Sequence, residues 1–188
     1  MTLKQLAKRT KLSVSLLSEI ERGLAQPSMS SLKKISQAMG FSLFNFGEDQ
    51  NKGPSRQNRL SLQMGRYNGL NTYTKDIRVV RSGNRKKLVY PNLPAVFELV
   101  TPDLNRLIEI SYVRFKPGFD SGPEPIADPP GEKCVFILSG CIETRMRGEV
   151  FLLSEGDSIY YPGDEPVSFR VIGESPCHSI LVMTPPSF

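Results

Sequence analysis

The chain reads as an α + β protein of two domains, a small all-α head followed by an all-β sandwich or barrel, and three observations predict it. Up to residue 40, apolar side chains recur at helical spacing between residues suited to helix caps. From about Ile77 the pattern changes to short β-rich runs separated by Pro, Gly and Asp. Between the two, residues 51–76 have little periodicity and many Gly, Asn and Ser, which suits a linker. The expected division is therefore 1–50 for the helical domain, 51–76 for a basic linker and 77–188 for the β domain.

In the head, Thr2 is placed to cap a first helix and Gln5 to complete a capping box, with Leu3, Leu6 and Ala7 on one face. Thr10, Lys11 and Leu12 form the turn. Ser13 caps a second helix whose Leu17 and Ile20 point inward, leaving Val14, Ser15, Ser18 and Glu19 outside, and Gly23 suits the position past the helix end at Arg22. Pro27 and Ser28 to Ser30 open a third helix with an apolar stripe of Leu32, Ile35, Ala38 and Met39, which Gly40 ends; Ser42 opens a short closing helix, LFNF. Spacing alone fits an ordinary helical hairpin as well as a DNA-reading pair. Small polar side chains on the outer face, with a cation near the helix end, are what a major-groove helix needs.

The run LAKRT..LSVSLLSEIERG....PS..SLKKISQAMGFSL resembles the XRE-type helix-turn-helix regulators of bacteria and phage across most of residues 1 to 46. The resemblance implies a double-stranded DNA operator, with base contacts from Val14, Ser15, Ser18 or Glu19 and phosphate contacts from Thr2, Gln5, Ser13 and Arg22. In that family another helix precedes the one starting near Thr2. The head is therefore expected to be weakened, each buried apolar side chain of such a helix being worth roughly 1.5–3 kcal/mol.

With 188 residues, 39% hydrophobic and 23% charged, the chain has room for one small and one medium soluble domain. No apolar run approaches the ~20 residues of a membrane span, and the first turn is polar and basic, so a cytoplasmic, membrane-free protein is expected. Cys134, Cys141 and Cys177 lack CxxC spacing, which argues against a disulfide framework or structural zinc; they read as inert thiols or, for Cys134 and Cys141, as a redox pair. The net charge of +5 is unevenly spread. Lys/Arg against Asp/Glu number seven to four over residues 1–50, ten to one over 51–91 and seven to fourteen over 92–188. Arg56, Arg59, Arg66, Lys75 and Arg78 thus read either as a positive field beside the DNA or as a solvated linker.

The β half contains the runs IRVVR, KKLVY, VFELV, RLIEISYVRF, KCVFILS, IETRMR, VFLLS, SIYY, VSFRVI and HSILVM, enough to close a small jelly roll with a concave mouth. Three pieces, LVTPDLNRLIEISYVRFKPG, GEKCVFILSGCIETRMRGEVFLLSEGDSIYYPGDEPVSF and LVMTPP, resemble the cupin domain, a double-stranded β-helix, that follows such helix-turn-helix modules in bacterial regulators. Gly140, Gly156-Asp157 and Pro162 fit its turns. The resemblance places Ala127, Pro129, Lys133 and Val167 at the four metal-ligand positions, and none of these suits a transition metal. His178 is the one histidine. No metal and no cofactor is expected.

Lys133 puts a cation where metal-binding relatives hold one. With some of Tyr112, Arg114 and Tyr161 it is a candidate to bind a small anionic ligand; a salt bridge to a neighbouring carboxylate, or a side chain turned out of the barrel, is the alternative. Glu132, next in the strand, should face away from the cup if Lys133 faces in. The expectation is a non-enzymatic transcriptional regulator, a homodimer on a pseudo-palindromic operator, whose cup senses a small-molecule effector. Its rivals are a regulator whose cup only dimerises or binds a protein, and a metal-free isomerase or epimerase.

Overall fold

The computed structural model describes residues 1–40, 77–89 and 94–187. The expected closing helix at Ser42, the 51–76 linker and its cations Arg56, Arg59, Arg66 and Lys75 lie outside these residues.

The head forms as its caps dictate. Helix α1 (Leu3–Thr10) is capped by Thr2, whose hydroxyl accepts from the Gln5 N–H at 3.3 Å while the Gln5 side chain accepts from the Thr2 N–H at 2.9 Å. Thr10 ends the helix rather than opening the turn. Its hydroxyl donates to the Leu6 carbonyl and accepts from the Leu12 N–H, and Lys11 turns the chain in the left-handed conformation at φ 58°. Ser13 caps α2 (Val14–Glu21) through the Leu16 N–H, and Ser28 caps α3 (Met29–Met39) through the Ser31 N–H. Leu6, Leu12, Leu17 and Ala38 form the small core, with Leu3, Ala7, Leu16 and Ile35 packed on it. Ile20 is half-buried.

The stripe expected on α3 divides between two cores. Ile35 and Ala38 pack within the head, whereas Met29 and Leu32 join the core of the β domain, and Met39 is exposed. Helix α3 is thereby enclosed on both sides, and even its polar Ser30, Ser31, Lys33 and Ser36 are buried.

Nine strands follow among the described residues: β1 (Lys87–Val89), β2 (Ala95–Leu99), β3 (Glu109–Phe115), β4 (Glu132–Ser139), β5 (Cys141–Met146), β6 (Glu149–Ser154), β7 (Ser158–Pro162), β8 (Ser168–Val171) and β9 (Cys177–Thr184). They make a six-stranded sheet in the order β1-β2-β3-β9-β4-β7 and a three-stranded sheet in the order β6-β5-β8, with every named pair antiparallel. This is the two-sheet jelly roll expected. IRVVR is not a strand. Ile77 is 97% exposed and Val79 is exposed too, so the run has no face to bury, and the next regular structure is a 3-10 turn at Ser82–Asn84.

Alternation along β3 buries Glu109, Ser111, Val113 and Phe115, and aromatic Phe97, Phe115 and Phe119 pack in the same interior. Gly140 makes the β4–β5 turn at φ +80°, where a Cβ would lie 2.4 Å from the Pro176 carbonyl oxygen. Gly140→Ala should therefore cost about 2 kcal/mol or more of stability, by backbone strain and by clash, read as a lower urea midpoint at unchanged slope.

Candidate functional site

Between the two sheets lies a cavity of about 50 Å³. Its floor is apolar, with Phe97, Phe115, Phe119, Ile142 and Val167 among the lining residues. Its charged wall is made by Lys133 of β4, Asp128 of the segment before β4, and Lys33 of α3. The Lys33 Nζ stands 2.6 Å from Asp128 Oδ1, and the Lys133 Nζ donates to Asp128 Oδ2. The lysines are 4% and 5% exposed, and Asp128 is buried with them.

One carboxylate thus bridges two ammonium groups out of water. Burial alone would raise the Asp128 carboxyl, but the charges of Lys33 and Lys133 overcome it and hold the group below its ordinary value. Lys133 is lowered from its ordinary value by burial and then by the charge of Lys33, against the opposing pull of Asp128 and Glu109. Its ammonium also lies 5.8 Å from the centre of the Tyr161 ring, whose own hydroxyl is raised by burial.

Of the ligand candidates, the structure brings Lys133 and Tyr161 together on the cavity wall and separates them from Tyr112 and Arg114. On β3, Val113 and Phe115 face the cavity, so Tyr112 and Arg114 stand on the opposite face. There the Tyr112 hydroxyl and His178 Nδ1 are 2.9 Å apart, and Arg114 donates to Glu98 at 2.6 Å. Glu132 is exposed, as the alternation requires. The lysine is in the cup and is ion-paired there.

The metal-ligand positions also need correction. Ala127 and Pro129 are exposed, while Ile126 and Asp128 point inward because Ile126 bridges Val167 and the Asp128 N–H reaches the Gly163 carbonyl at 3.0 Å. Val167 does line the cavity. The inward set offers a metal one carboxylate, already shared by two ammonium groups, and so does not fit a transition-metal ion. Asp128 was one residue from the expected position. Its two-residue spacing from apolar Ile126 was a readable signal, whereas nothing in the sequence links Lys33 to a residue 95 positions away.

On the head, Val14 and Ser15 are exposed and Ser18 and Glu19 half-buried along one side of α2, with exposed Arg22 at its end. Ser15 donates to Glu19 at 3.3 Å and Arg22 Nε donates to the Ser18 carbonyl at 3.2 Å. Thr2, Gln5 and Ser13 are exposed at the starts of α1 and α2. Cys177 is fully buried, its thiol pushed up to about 11 by burial, and all three cysteines are free.

A helix-turn-helix family model matches residues 1–46 and a cupin domain model matches residues 111–183. The chain joins a helix-turn-helix domain to a cupin domain. A helix-turn-helix family transcriptional regulator from Vibrio cholerae is similar over 98% of this chain and 86% of its own, at 17% identity and a TM-score of 0.61, a likeness of fold. The cupin domain of an XRE family transcriptional regulator from Enterobacter cloacae covers 48% of this chain and 96% of its own at 22% identity and a TM-score of 0.43. Ectoine synthase from P. lautus covers 51% and 67% at 16% identity and a TM-score of 0.44. No curated protein sequence matches the chain. Among the described residues, no helix is long and apolar enough to cross a membrane.

Asp128→Asn leaves two buried ammonium groups facing a neutral amide, and should cost the cupin domain about 3–5 kcal/mol in chemical denaturation. The pH dependence has two limbs of fixed sign. The stability that Asp128 adds is complete above its ordinary value of 3.8 and is lost as pH falls below it. Between the lowered Lys133 value and the ordinary 10.5, the unfolded chain binds more protons, so stability rises with pH through that window.

Proposed function

We propose that the chain is a DNA-binding transcriptional regulator whose metal-free cupin domain senses a small anionic metabolite and alters operator binding. The observation that carries this reading is the placement of α3. It packs against α1 through the head's core, yet its Met29 and Lys33 form part of the cavity wall. Whatever enters the cavity therefore touches the body that orients α2. In this reading Val14, Ser15, Ser18 and Glu19 meet base edges, and Thr2, Gln5, Ser13 and Arg22 meet phosphates. Lys133 and Tyr161 hold the effector.

One helix-turn-helix reads few base pairs, so the active form is a two-fold dimer with recognition helices ~34 Å apart. The outer face of the six-stranded sheet supplies a surface for the second copy, with Phe136, Leu138 and Tyr160 exposed on neighbouring strands β4 and β7. Operator binding implies the cytoplasm, and the protein acts without catalysis. The buried Lys33–Asp128–Lys133 cluster also supports a second reading, in which the cupin domain is only a connector or protein-binding unit, its cavity sealed by its own ion pairs.

Two measurements test the proposal. With an operator selected from random duplexes, Arg22→Ala should weaken binding to all sequences alike and reduce the slope of log affinity against log salt by about 1. The same titration should give two chains per operator. In a thermal-shift screen of organic acids, amino acids, sugars and polyamines, a hit should change operator affinity about 5- to 150-fold. A screen without any hit that acts on DNA binding would leave the connector reading in its place.

A further inference from the structure

The cavity has two features that its own ion pairs leave unexplained. The first is Thr144 of β5, which is 0% exposed and lines the cavity, and whose hydroxyl has no hydrogen-bond partner among the described residues. A buried hydroxyl without a partner is a standing cost, and it asks for a polar guest. The second is the composition of the lining. Among the described residues its charged members are two ammonium groups and one carboxylate. Glu109 acts on Lys133 from outside the lining, where it accepts from the Ser111 hydroxyl at 3.1 Å and the Ser187 N–H at 3.1 Å.

Size narrows the guest further. At roughly 10–15 Å³ per water, a cavity of about 50 Å³ holds about three to five waters, room for a guest of only a few non-hydrogen atoms. The phenyl and aliphatic floor suits a short hydrocarbon part, and the lysine wall suits an acid group.

We propose that the effector site is completed by the DNA-binding domain: a short-chain carboxylate is held jointly by Lys33 of α3, Lys133 of β4 and the Thr144 hydroxyl, and so clamps α3 to the cup. This rests on the sensing role proposed above and adds to it the ligand class and a contact made by the head itself. The clamp explains how a guest of only a few atoms is felt at the operator. It adds a second anion between lysines from two domains, and α3 carries α1 and α2 with it.

The test uses the full chain with sodium acetate, propionate and pyruvate, and with propionamide as the neutral match of propionate. At least one acid should raise the melting temperature while propionamide leaves it unchanged. Thr144→Val should raise the melting temperature of the ligand-free chain and weaken the acid about tenfold or more. Lys33→Met should abolish the acid's effect, together with the slower hydrogen exchange that the acid produces along α3. No shift with any of the three acids, an equal shift with propionamide, or an affinity unchanged in Thr144→Val or Lys33→Met would overturn the clamp. Thr144→Val, a change of nearly equal volume, decides the matter alone if Lys33→Met does not fold. The two proposals fail separately. An operator response to a compound that is not a carboxylate leaves sensing in place and removes the clamp. An acid that binds through both lysines without moving operator affinity keeps the clamp and removes the sensing role.

Discussion

Two lysines, one from the helical head and one from the β domain, close on a single aspartate inside the jelly roll, and most of the architecture can be understood as what makes that arrangement tolerable. Charged groups leave water at a cost of several kcal/mol each, so a buried cluster persists only when its members satisfy one another. Asp128 does this with both oxygens, one for Lys33 and one for Lys133. Such a cluster contributes less to net stability than apolar side chains of the same volume would. Its effect is on specificity: α3 can dock in the one register that brings Lys33 to the carboxylate.

The surrounding structure holds the aspartate in place. Residues 126–128 lie as an extra edge against the loop and strand start at 163–167, and Gly163 permits the approach, since a Cβ there would sit 2.6 Å from the Pro129 carbonyl oxygen. On the far side Met29 and Leu32 bring α3 into the same hydrophobic core that contains Phe119 and Ile137. The apolar contacts supply the driving force for docking, and the ion pairs select its geometry. An exposed pair, Lys34 and Glu124 at 3.2 Å, lies beside the buried one and adds little in water.

Local signals in the sequence were sufficient for local structure. Thr2, Ser13 and Ser28 mark the three helix starts because a cap is a contact between near neighbours, and the jelly roll is legible because alternation and turn residues are written within each strand. The same locality explains the misses. IRVVR has the residues of a strand, yet Ile77 and Val79 stay exposed and it joins no sheet among the described residues, an outcome set by the rest of the molecule. Residue type suits Tyr112 and Arg114 to the cup, but their alternation with Val113 and Phe115 puts them on the outer face. The shift from Ala127 and Pro129 to Ile126 and Asp128 is a one-residue slip, and in extended chain one residue reverses every side chain. Lys33 lay beyond any such reading. Only the docking of two domains takes its charge out of water.

Because α3 belongs to two cores at once, the boundary that the family patterns draw between head and cup is not a boundary in packing. Modular exchange, in which one regulator's reading head is grafted onto another's sensor, assumes that each unit keeps its interior to itself. Here a transplanted head would carry off Met29 and Lys33, leaving the cup it came from with a hole in its wall and an aspartate short of a counter-charge. Descendants of such a chain would have to exchange both halves together, or rebuild the seam residue by residue.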